Sequence, residues 1–159
     1  MSANEEKSIQ ERYVPQNQCF GCGPANPKGL RIRSFPTGEN GMLVCEWQPQ
    51  DYHQAFGGVL NGGIIGALLD CHSNWTAAYH LMQRDHLDEP PPTVTAKFEV
   101  VLIRPTPLDQ PVRLEAWPVS DDGPKVLTDA SLIVGNKVTA TCTGTFVAVG
   151  PGHPAYHSR

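Results

Sequence analysis

GGVLNGGIIGALLD, residues 57–70, is the stretch that decides how this chain folds. Its first half is a glycine-rich turn, and its second half opens an apolar helix. Asn61 stands where a helix N-cap is wanted, because its side-chain oxygen can accept a first-turn N–H. Beyond it Ile64, Leu68, Cys71, Trp75, Ala78 and Met82 recur at alternating spacings of four and three. That period predicts one face of a helix of about 20 residues. Gly62, Gly63, Gly66 and Ala67 weaken the first turns, but they let a sheet, a second helix or a ligand come close to the backbone. Asp70 sits among the apolar residues, where an unpaired ionised carboxylate costs several kcal/mol. It reads either as a general base or nucleophile, or as a structural aspartate that caps a backbone or pairs with an arginine.

Working outward, Asp88-Glu89-Pro90-Pro91-Pro92 stops the helix, and everything after Pro92 reads as strands. TVTAKFEVVLI (93–103) is long and β-branched, and it ends at Arg104-Pro105. PVRLEAWPVS (111–120) follows, then a turn at 121–124. VLTDASLIVG (126–135) and KVTATCTGTFVAV (137–149) meet at Gly135-Asn136, a hairpin signal. Upstream, LRIRSF (30–35) and MLVCEWQ (42–48) are extended runs joined by TGENG, whose Asn40-Gly41 is a second hairpin signal. CFGCGPANPKGL (19–30) is a compact irregular loop. Residues 1–18 and 150–159 are expected to be loose tails, with Pro15 ending any short helix in the first. The order is two strands, one long helix and four strands in one domain over 1–159. That predicts an α+β fold, an antiparallel sheet of about six strands against one central helix. One helix does not cover a sheet that wide, so a partner subunit is expected.

Composition narrows the function. A net charge of −4 with no basic stripe argues against nucleic acid. No run approaches the roughly 20 apolar residues of a membrane span. MSANEEKSIQER is not a secretory signal, and five cysteines, an odd number, read as reduced thiols of a cytoplasmic protein.

Three stretches resemble a known family. GGVLNGGIIGALLD is similar to the H-G-G-x-x-x-x-L-x-D signature of hotdog-fold acyl-CoA thioesterases, specifically their phenylacetate-pathway branch. TVTAKFEVVLIRPTP resembles the strand that follows it there, and CFGCGPANPKGL resembles the opening of one subgroup. The resemblance spans roughly residues 19–149 and implies a hotdog fold, one long helix wrapped by the sheet. It implies hydrolysis of an acyl-CoA thioester without cofactor or metal, in a homodimer or dimer of dimers. Carried over by position, Asp70 is the carboxylate that activates water or attacks the thioester. The backbone N–H of Gly62 polarises the thioester carbonyl beside Gly63, and Thr95 helps orient the water. Asn61 stands where the family has His; it donates an N–H or caps the helix but does not titrate. A further upstream Asn of the family is replaced by Ala55, and His53 is a candidate polar contact in its place. Arg104 and Lys97 are candidates for the rim that meets nucleotide phosphates. The alternative function is a non-catalytic protein that binds acyl-CoA or another acyl ligand.

Helix geometry adds one constraint by itself. Asn61 and Asp70 are nine residues apart, which places them on opposite sides of the helix and roughly 13 Å apart along it. One carbonyl cannot meet both, so a joint site needs two helices from two subunits. Among competing motifs, Cys19-x-x-Cys22 lacks a second cysteine or histidine pair nearby in sequence, so a knuckle of free thiols is favoured over half a zinc site or a redox pair. Cys71 reads as core. His72 and His80 read as satisfied surface or interface histidines, and Trp47, Trp75 and Trp117 as core. No G-x-S-x-G elbow accompanies Ser73, so a serine triad is not indicated.

Overall fold

A computed structural model describes residues 6–157. Near its start Ser8 and Glu11 form a reciprocal capping box. The Ser8 hydroxyl accepts from the Glu11 N–H at 3.2 Å, and the Glu11 carboxylate accepts from the Ser8 N–H at 2.8 Å. The box starts a short helix, α1 (Ile9–Tyr13), as the S-x-x-E pattern does elsewhere. Ile9, Gln10 and Val14 are buried. The expected N-terminal tail is therefore docked on the core from Ser8 onward; residues 1–5 of it, and residues 158–159 of the C-terminal tail, lie outside the described residues.

Of the run LRIRSF only Phe35 enters a strand, β1 (Phe35–Pro36), which pairs with β2 (Leu43–Trp47). Arg31 takes a left-handed φ of 52°, which breaks the extended run that the sequence suggests. Asn40 and Gly41 both have positive φ, and the Met42 N–H reaches the Glu39 carbonyl at 2.8 Å, the I′ geometry that Asn-Gly favours. A small hairpin of β3 (Gln54–Phe56) and β4 (Val59–Leu60) then leads into α2 (Gly62–Asp85). Asn61 caps α2 through its side-chain oxygen, 3.1 Å from the Ile64 nitrogen. Left-handed His86 ends it, before the prolines.

The remaining strands are β5 (Thr93–Leu102), β6 (Val112–Asp122), β7 (Lys125–Val134) and β8 (Lys137–Ala148). All six long-sheet strands are antiparallel, in the order β1-β2-β6-β7-β8-β5. This is the α+β hotdog layout expected from the sequence. Alternating positions face α2: Val112, Leu114 and Ala116 on β6, then Val126, Ala130, Leu132 and Val134 on β7. The opposite face is polar, with Arg113 bridging Glu115 and Glu46 and Thr143 donating to Asp129. Trp47 and Trp75 are core, while Trp117 is only half-buried.

Strand β5 is a sheet edge and ladders with β8 alone. Its Phe98, Val101 and Leu102, with Ile103 just beyond, are 43%, 52%, 57% and 50% exposed. A long apolar edge with unpaired backbone groups is a ready template for another strand.

His72 corrects a sequence expectation, because it is fully buried and not at a surface. The Leu43 carbonyl only accepts, so His72 Nε2 carries the proton and donates to it at 3.0 Å. His72 Nδ1 then accepts from the Ser34 hydroxyl at 2.8 Å. The Gln10 side chain closes the network, holding the Ser34 hydroxyl and N–H at 2.9 Å each. One chain of bonds thus ties α1, the loop before β1, α2 and β2, with no polar group left over.

Candidate active site

Residues four apart on a helix form a ridge, and on α2 the ridge Gly62, Gly66, Asp70, Asn74 runs antiparallel along β5. A Cβ on Gly62 would lie 3.4 Å from Leu102 Cδ1, and one on Gly66 3.9 Å from the Phe98 ring. Asp70 and Asn74 meet the other end of the strand. Thr95 donates its hydroxyl proton to Asp70 Oδ1 at 2.7 Å. Asn74 Nδ2 donates to Thr95 Oγ1 at 3.3 Å and to the Thr93 carbonyl at 3.0 Å. The relay Asn74 to Thr95 to Asp70 fixes the carboxylate and leaves Oδ2 without a partner among the described residues.

Asp70 is half-buried on the wall of a cleft of about 230 Å³, which Thr95, Asn74, Trp75, Cys19 and Cys71 also line. Burial raises its pKa above the ordinary carboxylate value, and the Thr95 hydrogen bond acts in the opposite sense. A carboxylate raised by burial and steered by one donor is suited to take a proton from water.

The other candidates gather at the far end of α2. Asn61 uses its oxygen for the cap, which leaves its side-chain N–H free to donate outward. The backbone N–H groups of Gly62 and Gly63 are exposed and have no partner among the described residues. They form the positive end of a helix of 24 residues, a receptor for developing negative charge. His53 comes near through its main chain, whose carbonyl accepts from the Asn61 N–H at 2.9 Å. Its ring is spent on the Gln50 N–H and on packing against Trp47 and Tyr52. Arg104 is exposed just beyond the end of β5, and Lys97 is exposed on β5 itself.

Within one protomer, then, Asp70 and Thr95 meet, and Asn61, Gly62 and Gly63 cluster, but the two groups stay at opposite ends of one helix ridge. The sequence reading missed Asn74, although its place four residues after Asp70 put it on the same ridge. It also took Cys71 for core. Cys71 does pack against the core, and it also stands half-buried on the cleft wall, with its sulfur 3.7 Å from that of Cys19.

No protein-family model and no curated protein matches the sequence. Solved structures do. A thioesterase superfamily protein from Shewanella loihica PV-4 is similar at 25% identity and a TM-score of 0.62, over 75% of this chain and 91% of that one. A putative thioesterase related to phenylacetic acid degradation from Ralstonia eutropha JMP134 matches at 20% identity and a TM-score of 0.65, over 80% and 92%. The E. coli PaaI protein of the phenylacetic acid degradation operon matches at 14% identity and a TM-score of 0.63, over 76% and 81%. The chain has the fold of thioesterase superfamily proteins. Among the described residues no helix is long and apolar enough to cross a membrane.

Proposed function

We propose that the protein hydrolyses an acyl-CoA thioester at a site completed by a second copy of the chain. The observation that carries this reading is a steered, half-buried carboxylate and, on the same helix ridge along one free strand edge, a helix N-terminus whose Gly62 and Gly63 N–H groups are open. Hydrolysis builds negative charge on the thioester oxygen, and the N–H groups of Gly62 and Gly63 with the Asn61 amide are placed to receive it. The Asp70 carboxylate takes a proton from water as the water attacks the carbonyl carbon. Collapse of the adduct breaks the C–S bond, and the proton passes to the departing thiolate.

The two halves meet if β5 pairs with its own copy. A two-fold axis near Phe98 and Glu99, midway between Thr95 and Leu102, exchanges the two ends of the strand. The partner's helix N-terminus then stands beside this protomer's Asp70. Pairing of this kind satisfies the open backbone groups of β5 and buries Phe98, Val101, Leu102 and Ile103 in an isologous seam. Arg104 and Lys97 flank that seam and supply positive charge for the nucleotide phosphates. No metal or cofactor enters this mechanism.

The test is thiol release from a panel of acyl-CoAs by the wild type beside Asp70→Asn. Turnover by the wild type and a loss of at least a hundredfold in the variant, with the melting temperature retained, supports the reading. If neither protein turns over while an acyl-CoA still raises the melting temperature of both, the chain is an acyl-ligand binder.

A further inference from the structure

The cleft that Asp70 lines also holds chemistry that this mechanism leaves unused. The sulfurs of Cys19, Cys22 and Cys71 all lie within 4.8 Å of one another. Two come from one tight knuckle and the third from mid-helix, separated by 52 residues from Cys19, so spacing in the sequence does not reveal the set. We propose that Cys19, Cys22 and Cys71 form a three-thiolate site for a thiophilic divalent ion of the zinc class, with its fourth position open to the cleft that carries Asp70.

Geometry supports this first. Zinc–sulfur bonds of about 2.3 Å at tetrahedral angles set sulfur atoms about 3.8 Å apart. The Cys19 and Cys71 sulfurs are already 3.7 Å apart. The backbone supports it second. A Cβ on Gly21 would fall 2.4 Å from the Cys71 sulfur, and one on Gly23 2.4 Å from the Cys19 nitrogen. Both glycines are thus needed for the knuckle to close over the helix. The turn is pinned by the Gly23 N–H on the Cys19 carbonyl at 2.8 Å and the Cys19 N–H on Asn17 Oδ1 at 2.8 Å.

Third, a donor beside the sulfurs suits a thiolate. The buried Trp75 indole N–H donates to the Cys22 sulfur at 3.2 Å. Such outer-shell donors hold metal-bound thiolates in place. Beside these thiols the cleft presents no lysine, arginine or histidine among its lining residues, only the carboxylate of Asp70. A disulfide would join two of the sulfurs and strand the third, whereas one ion engages all three. Binding displaces the thiol protons to solvent and leaves the carboxylate relay of Thr95 and Asn74 untouched.

The test uses the reduced, chelator-stripped full chain titrated with Co(II) and then Zn(II), with Cys19→Ser and Cys71→Ser beside Cys45→Ala as a control outside the cluster. The expected result is one equivalent of Co(II) with a thiolate-to-metal charge-transfer band, displaced by Zn(II), in the wild type and in Cys45→Ala. Zn(II) also raises the melting temperature of both. Affinity falls at least about a hundredfold in Cys19→Ser and Cys71→Ser. Cys19 is exposed, so its variant keeps the test valid if Cys71→Ser fails to fold. The proposal is overturned by binding that survives Cys19→Ser, by absence of the charge-transfer band, or by a disulfide between two of the three cysteines in freshly purified, metal-free protein.

Discussion

Replacing His72 with glutamine should remove most of a pH dependence of stability that the buried network imposes. Burial depresses the His72 pKa from the ordinary 6.5 to about 4, partly offset by its bond to the Leu43 carbonyl. In the unfolded chain the imidazole takes up a proton near its ordinary pKa. In the folded protein it stays neutral, because Leu43 needs the Nε2 proton and the Ser34 hydroxyl fills Nδ1. Between about 4 and 6.5 the unfolded state therefore binds more protons, and stability falls as the pH is lowered through that window. At about 1.4 kcal/mol for each tenfold in proton affinity, the full effect is about 3 kcal/mol. About 2 kcal/mol of it is lost by pH 5, taking unfolded and folded values of 6.5 and about 4. Urea denaturation of wild type and His72→Gln at pH 8 and pH 5 isolates this contribution, since carboxylates common to both proteins cancel in the difference. The wild type should lose about 2 kcal/mol more than the variant between the two pH values. Equal losses would refute the assignment of a buried neutral imidazole.

Three further outcomes follow from the site. Thr95→Val removes the donor to Asp70, so kcat for thioester hydrolysis should fall at least about tenfold with KM little changed, as expected for a charged hydrogen bond worth about 1.5–3 kcal/mol. Asn61→Ala should cost about 1 kcal/mol of stability in a denaturant titration through loss of the cap, whereas Asn61→Asp keeps the cap. Both variants should slow hydrolysis, because neither retains the side-chain N–H. Val101→Glu places a charge on the free edge of β5 and should shift sedimentation from dimer to monomer; an unchanged dimer would move the interface elsewhere.

Much of the fold is legible because its signals are local. The period from Ile64 to Met82, the proline stop, and the Asn40-Gly41 and Gly135-Asn136 turns each act within a few residues of where they are read. α1 was equally legible in Ser8-x-x-Glu11, but a helix of five residues shows too few apolar positions for periodicity to register. LRIRSF reads as a strand by composition, and only tertiary packing, with Arg31 in the left-handed region, bends it away. Of the candidate residues, Asp70 and Asn61 stand out by their places on the helix and Thr95 by the family resemblance, and the structure joins Thr95 to Asp70 while Asn61 caps α2. Cys71 and His72 were not legible, because nothing near them in sequence names their partners. Cys19 and Ser34 reach them across the fold, from 52 and 38 residues away.

In the proposed mechanism, Asp70 of one protomer acts on a carbonyl held by the helix N-terminus of its partner. Gly62→Pro removes the Gly62 N–H at the first helical position, where proline is tolerated, and Asn61 already has the extended backbone that a following proline requires. That variant and Asp70→Asn should each lose at least about a hundredfold in kcat. Unfolded or subunit-exchanged together in equal amounts, they form heterodimers in about half of the molecules, each with one intact composite site. Recovery of about a quarter of the wild-type rate is expected. A mixture whose differently tagged subunits co-purify but whose rate stays at the sum of the two variants would contradict it.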